Sequence, residues 1–249
     1  LIALFGGLHE CIHRTAFRER WINDSIAFLI GLILVLPANY YRHFHFAHHR
    51  HTQDPKKDPE LISPKPISIL NYVLYLTAFF FWRDRCSELI QHVFGKVTAK
   101  FVPINRRANI CREAQIHCII YIIIVVVSLN WATHLALTIW ILPIAFGQPI
   151  LRAYLLAEHT GCEKIPHMFR NTRTTFTISP IRFLMWNMPF HAEHHAFPSV
   201  PFHALPKAHS LLSNELQSTS NGYHRFHADY IKALITGRGK VFITPNPKS

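Results

Sequence analysis

Charge is scarce in this chain of 249 residues: Asp, Glu, Lys and Arg together make up 16% of it, where a soluble domain carries about 25%. Apolar residues fill the gap, 49% hydrophobic and 13% aromatic, so the deficit points to a bilayer. Acidic residues are the rarer sign, 14 against 26 Lys and Arg, for a formal net charge of +12. That excess would suit nucleic acid, but the basic residues sit in short segments beside apolar runs and no nucleic-acid motif accompanies them. Lipid headgroups explain the basicity better, and no nucleic-acid partner is expected. The five cysteines, Cys11, Cys86, Cys111, Cys118 and Cys162, show no CxxC spacing. This argues against a thiolate zinc site or a disulfide framework and fits a reducing, cytosol-facing setting. No linker-like composition and no cleavable signal peptide are visible in the sequence. The chain reads as one domain, 1-249. It opens on Leu1, inside an apolar stretch that runs to Leu8, and we expect a preceding segment, including part of a helix, to be missing.

The 38 residues from Ala114 to Leu151 contain no Asp, Glu, Lys or Arg. A bilayer-crossing helix needs about 20 residues, so this stretch predicts a transmembrane hairpin turning near Ser128-Leu129-Asn130. Two other apolar runs, Ile26 to Ala38 and Ile67 to Trp82, are short for a crossing and are expected to be interfacial or half-buried helices. Charge agrees: Arg83 to Glu113 holds seven Lys and Arg against three acidic residues, and Arg42 to Lys65 is also basic, which places both on the cytoplasmic side. The expected fold is an all-α integral membrane protein, with a helical hairpin, interfacial helices and a cytoplasmic histidine-lined di-metal site.

Three histidine clusters define that site. His9 and His13 are four apart, on one face of a helix with Cβ atoms about 5–6 Å apart. His45/His48/His49 and His191/His194/His195 share the spacing HxxHH, in which positions i, i+3 and i+4 lie on a common helical face. For any single histidine in a chain with 19, a satisfied surface or core residue is the better reading. Two HxxHH triplets by chance, however, arise about once in 200 such chains. Eight neutral imidazoles exceed what one ion can take, and imidazole suits iron, zinc, copper and nickel, so two metals follow. His159 in Ala157-Glu158-His159-Thr160-Gly161, placed at the end of the hairpin, is a ninth candidate. Glu10, Asp54, Asp58, Glu158, Asn187 and Glu193 are near the ligands in sequence and are candidates to orient them. The other ten histidines, among them His43, His51, His203 and His209, fit no shared face and stay unassigned.

The stretches HECIHRTAF (His9 to Phe17), HFAHHRHTQDPKKDPEL (His45 to Leu61) and NMPFHAEHHAFPSVPFHALPKAH (Asn187 to His209) resemble the membrane fatty acid desaturase family. AEHTG, and NTRTT from Asn171 to Thr175, are similar to its bacterial-type branch, in which the His of AEHTG is an extra ligand on the last membrane helix. The resemblance implies a cytoplasmic di-iron centre under a helical membrane cap, with an acyl chain in a narrow tunnel. It also implies O2 and two electrons from a separate ferredoxin or cytochrome b5, since no HPGG-type haem segment is present. The expected reaction is removal of two hydrogens from an acyl chain carried as lipid or acyl thioester. Hydroxylation or ketolation of an acyl chain or carotenoid at the same site is the alternative. No catalytic residue separate from the metal ligands is expected, because position along the chain, not acid–base chemistry, sets the product.

Two readings of a different class compete. His9-Glu10-Cys11-Ile12-His13 matches the H-E-x-x-H zinc protease signature, but a protease leaves both triplets unexplained. A metal transporter would place its ligands within spans, whereas these clusters flank the apolar runs.

Overall fold

The stretch without charge is occupied by the two longest helical segments of the chain. In the computed structural model, which describes residues 1–243, the helices in chain order are α1 (Leu4–His13), α2 (Arg20–Leu34), α3 (Ala38–His51), α4 (Ile69–Leu76), α5 (Phe79–Val93), α6 (Ile104–Asn130) and α7 (Leu142–His159). They continue as α8 (Met168–Asn171), α9 (Ser179–Leu184), α10 (His191–Ala196), α11 (Leu205–Leu212), α12 (Tyr223–Ile235) and α13 (Gly239–Ile243). Strands β1 (Thr174–Thr175) and β2 (Thr219–Ser220) form a two-residue parallel pair. The chain divides into two compact units, the first of Leu1–His45 with Ala78–Pro149 and the second of Phe46–Thr77 with the residues from Ile150 onward.

In the first unit, α6 turns its apolar side outward: Ile119 and Ile122 are each 57% exposed, while Glu113 and His117 on the other face are buried. Such an inverted pattern suits lipid, not water. A π-helical turn, Ala136–Ile141, leads into α7, and the segments Ile104–Asn130 and Ala136–His159 are long and apolar enough to cross a membrane. The reversal falls just after the expected Ser128-Leu129-Asn130, at Trp131 to Leu135, with Ala132 in the left-handed region (φ 46). α6 also starts earlier than the uncharged run, because a helix extends into the charged headgroup layer without losing its backbone bonds.

The run Ile26 to Ala38 is covered by α2 and a sharp break. α2 ends at Val35 (φ 54), the chain turns by 99° into α3, and taken together the pair is a third candidate span, broken or re-entrant. Gly31 permits the return: a Cβ there would meet the Leu36 carbonyl oxygen at 2.7 Å. A break between helices leaves backbone groups that need partners, and α6 and the segment before α7 supply them. Tyr121 Oη–H donates to the Leu32 carbonyl (2.7 Å) and Trp140 Nε1–H to that of Ile33 (2.6 Å), in the last turn of α2. The Glu113 carboxylate accepts from Ala38 and Asn39 N–H at 2.9 and 2.8 Å, capping the start of α3 where Pro37 offers no side-chain acceptor. Leu8, Cys11, Ile12, Ala27, Ile30 and Leu34 pack α1 on α2.

The run Ile67 to Trp82, expected as one helix, is split at Thr77 and Ala78, where Ala78 is left-handed (φ 57). α5 carries a buried His92 beside Tyr40. Burial first, then Arg85, holds its pKa down at about 4 from the ordinary 6.5. The ring therefore folds in neutral. Stability of this unit is present in full above pH 6.5 and is expected to fall as pH drops from 6.5 through 4, where the unfolded chain binds the proton more tightly. Thermal melts from pH 7 to 4 check this: His92→Gln should flatten the slope in that window.

In the second unit, Tyr72, Leu156, Ala157, Phe226, Tyr230 and Leu234 join α4, the end of α7 and α12. The Tyr72 hydroxyl donates to His227 Nδ1 (2.9 Å), and His227 Nε2–H to the Ala153 carbonyl (3.1 Å). These bonds tie the later turns of α7 to α4 and α12.

Candidate metal centre

His9 and His13 lie one turn apart on α1, and His45 stands midway along α3. In the first unit their rings form a triangle, with centroids 5.1 Å apart for His9–His13, 4.4 Å for His9–His45 and 5.0 Å for His13–His45. One ligand nitrogen from each comes within 4.8 Å of the others. Burial first, then the nearby Arg42 guanidinium, pushes the His13 pKa down to about 3, so the ring is the neutral form a metal binds. Glu10 is fully buried between the two α1 histidines; its Oε2 accepts from the Thr15 hydroxyl (2.8 Å) and its Oε1 is 4.0 Å from His9 Nδ1.

The second unit holds a tighter arrangement. His48 Nδ1–H donates to Asp58 Oδ1 (2.9 Å), and His159 Nδ1–H to the Asn171 carbonyl (3.2 Å). Thr52 gives its hydroxyl proton to the His48 carbonyl (2.8 Å), so its oxygen accepts from His195 Nδ1–H (3.2 Å). With all three Nδ1 atoms donating, each ring keeps its Nε2 for the interior. Those Nε2 atoms converge: His48 and His159 are 3.1 Å apart, and that of His195 is buried with no hydrogen-bond partner among the described residues. Two cis ligands about 2.1 Å from one ion stand about 3.0 Å apart. A single proton can serve one of these pairs, whereas a metal ion is satisfied by all three nitrogens, so the donor set fits a cation. Burial above all, with the imidazoles of His49, His191, His159 and His48 behind it, holds His195 well below the ordinary imidazole range.

His191 Nε2 lies 3.2 Å from His159 Nε2 and 3.6 Å from Glu158 Oε2. His194 and His49 bring their Nε2 atoms to 3.2 Å, and the His49 ring stacks on His195 (4.0 Å, 11°). The second triplet is thus divided. His48 and His49 are neighbours in sequence, aim about 100° apart on the helix, and bring their Nε2 atoms to different partners, His159 and His194. His159 is the last residue of α7, held there by Gln53 Nε2–H donating to its carbonyl (2.7 Å).

Of the acidic and amide residues singled out from sequence, Asp58 touches a ligand-type histidine and also accepts from the N–H groups of Gln53 and Glu60 at 2.8 and 2.9 Å. Glu158 approaches His191, and Glu193 bonds residues outside the histidine sets. Asp54 instead accepts from Lys56 N–H within a turn (2.9 Å), and Asn187 donates to the Phe202 carbonyl (3.0 Å). Sequence reasoning missed Thr52 and Asn171. Thr52 was detectable, standing one turn after His48, but the Asn171 carbonyl is a backbone group that no residue pattern advertises.

The Fatty acid desaturase family model matches residues 1–227. Relatives include a sphingolipid delta(4)-desaturase of Drosophila melanogaster, 25% identical over 211 residues, covering 82% of this chain and 60% of that protein. A fatty acid conjugase of Calendula officinalis is 23% identical, covering 79% of this chain and 60% of its own length. An sn-1 oleoyl-lipid 12-desaturase of Picosynechococcus is 34% identical over 68 residues, or 24% of this chain and 20% of that protein. The chain spans about 60% of the length of the first two relatives. With the family model covering all three histidine clusters and the hairpin between them, the chain belongs to the fatty acid desaturase family.

Proposed function

We propose that this protein is an O2-dependent di-iron desaturase that introduces a double bond into a fatty acyl chain. His9, His13, His45, His48, His49, His159, His191, His194 and His195 hold the two irons. The observation that carries the reading is the convergence of the His48, His159 and His195 Nε2 atoms with every Nδ1 held from behind. The irons supply activation of O2, with two electrons from a separate ferredoxin or cytochrome b5. The chain's own residues fix the ligand rings through Asp58, Thr52 and the Asn171 carbonyl, and keep His195 neutral by burial. Burial of the His48, His159 and His195 rings excludes water that would quench the oxidant. The substrate is a fatty acyl lipid or acyl thioester reached from the bilayer. Supporting a multi-pass membrane location with the clusters on the cytoplasmic face are the hairpin and the basic segments Arg42 to Lys65 and Arg83 to Glu113. The family match runs through both compact units, which supports one functional domain over residues 1–249.

The test is expression in a host that lacks the activity and supplies a donor, with lipids analysed by mass spectrometry. New double bonds that vanish in His194→Ala are expected. Added oxygen would replace desaturation by hydroxylation, and unchanged acyl chains would reject an acyl substrate. A narrower check concerns Asp58, whose three hydrogen bonds order the His48 ring and the turn after α3. Asp58→Asn should lower iron affinity by roughly 10–100-fold in a metal titration, with helical circular dichroism retained.

A further inference from the structure

His209, on α11, belongs to none of the converging nitrogen sets. Its ring is stacked on Phe190 (centroids 4.7 Å, 27°) and meets Phe176 edge-on (5.7 Å, 65°). Its Nδ1 is 2.5 Å from Glu193 Oε1. Glu193 is wholly buried in α10, between His191 and His194. Its other oxygen, Oε2, accepts from the Thr174 hydroxyl, and Thr174 Oγ1 in turn accepts from Ala192 N–H at 3.4 Å. Thr174 is fixed in register by β1–β2 pairing with Thr219.

α10 has only six residues, too few to hold its own geometry, so its orientation is set from outside. Glu193 points away from its three histidines: position i+2 from His191 falls on the opposite side of a helix from i, i+3 and i+4. A carboxylate gripped at both oxygens there controls rotation of the turn about its axis, and a few degrees of rotation displaces every imidazole nitrogen together. We infer that His209 and Thr174 are positioning residues that act through Glu193 to aim His191, His194 and His195. The effect on metal binding rests on the di-metal reading above; the clamp itself does not.

The test uses the full chain in lipid nanodiscs, with variants His209→Ala, His209→Asn (whose amide nitrogen stands near the place of Nδ1), Glu193→Gln and the double variant His209→Ala/Glu193→Gln. Amide hydrogen exchange at residues 191–196 is measured on metal-free protein, and Co(II) is titrated by its visible absorption. His209→Ala is expected to speed exchange in α10 about tenfold and to weaken Co(II) binding about 10–100-fold with an altered band shape. His209→Asn should restore most of both, and the double variant should be no worse than the worse single one, because both act through one contact. Unchanged exchange in His209→Ala would overturn the inference, as would single effects that multiply in the double variant. So would the loss of one bound Co(II) per chain at saturation, which would make His209 a ligand. If His209→Ala exchanges faster throughout the chain, Glu193→Gln decides, with acceleration confined to α10 supporting the clamp and uniform acceleration rejecting it. A wild-type chain that takes up no Co(II) would reject the metal reading alone, since exchange still judges the clamp.

Discussion

His159→Ala is expected to abolish product formation, by at least about 100-fold, and to leave fewer than two irons per chain by elemental analysis. The reasoning is positional. Its Nε2 stands 3.1 Å from that of His48 and 3.2 Å from that of His191, so it is the nitrogen that both neighbours face, and no other side chain occupies its place on α7. Replacing even an outer partner of a metal ligand typically costs 10–100-fold, so loss of the proposed ligand itself is expected to exceed that range. The fold should survive, because the bond that holds the end of α7 comes from Gln53 to the residue's carbonyl and alanine keeps it. Two irons retained together with full activity would remove His159 from the site and with it the convergence on which the proposal stands.

Glu113→Ala has the second large effect, on stability instead of chemistry. Removing the carboxylate strips acceptors from the Ala38 and Asn39 N–H groups, in surroundings where Glu113 is 3% exposed. Each buried donor left without a partner costs about 1–3 kcal/mol, so a loss of roughly 2–5 kcal/mol is expected. For a chain of this size that lowers the melting temperature by about 5–15 °C in detergent. Glu113→Gln, which keeps one carbonyl oxygen, should lose about half as much. Equal melting temperatures for wild type and Glu113→Ala would show that the break between α2 and α3 needs no such cap.

Helix periodicity and run length read well where one physical rule dominates. A stretch without charge has no favourable place in water, so Ala114 to Leu151 located the hairpin, and the i, i+3, i+4 rule found residues on shared faces. Pattern reading fell short where partners come from distant sequence. Nothing around Pro37 announces that its helix is capped from position 113, and the spacing His48-His49 hides that the two Nε2 atoms go to different neighbours. The split of Ile67 to Trp82 at Ala78 also escaped, since an alanine in the left-handed region is a local cost imposed by packing, not a sequence preference. His209 was passed over because a histidine that binds a carboxylate has no periodic signature.

The capped break between α2 and α3 has a consequence in time. The groups that close it, Glu113, Tyr121 and Trp140, follow it by 74 to 107 residues, and a ribosome adding about 5–20 residues per second delivers them several seconds later. During that interval the N–H groups at the start of α3 and the carbonyls in the last turn of α2 lack these partners and must bond elsewhere. The start of α3, on the stretch that leads to His45, therefore has its native cap only once position 113 has been made, so the first unit's histidine triangle reaches its final support late in synthesis.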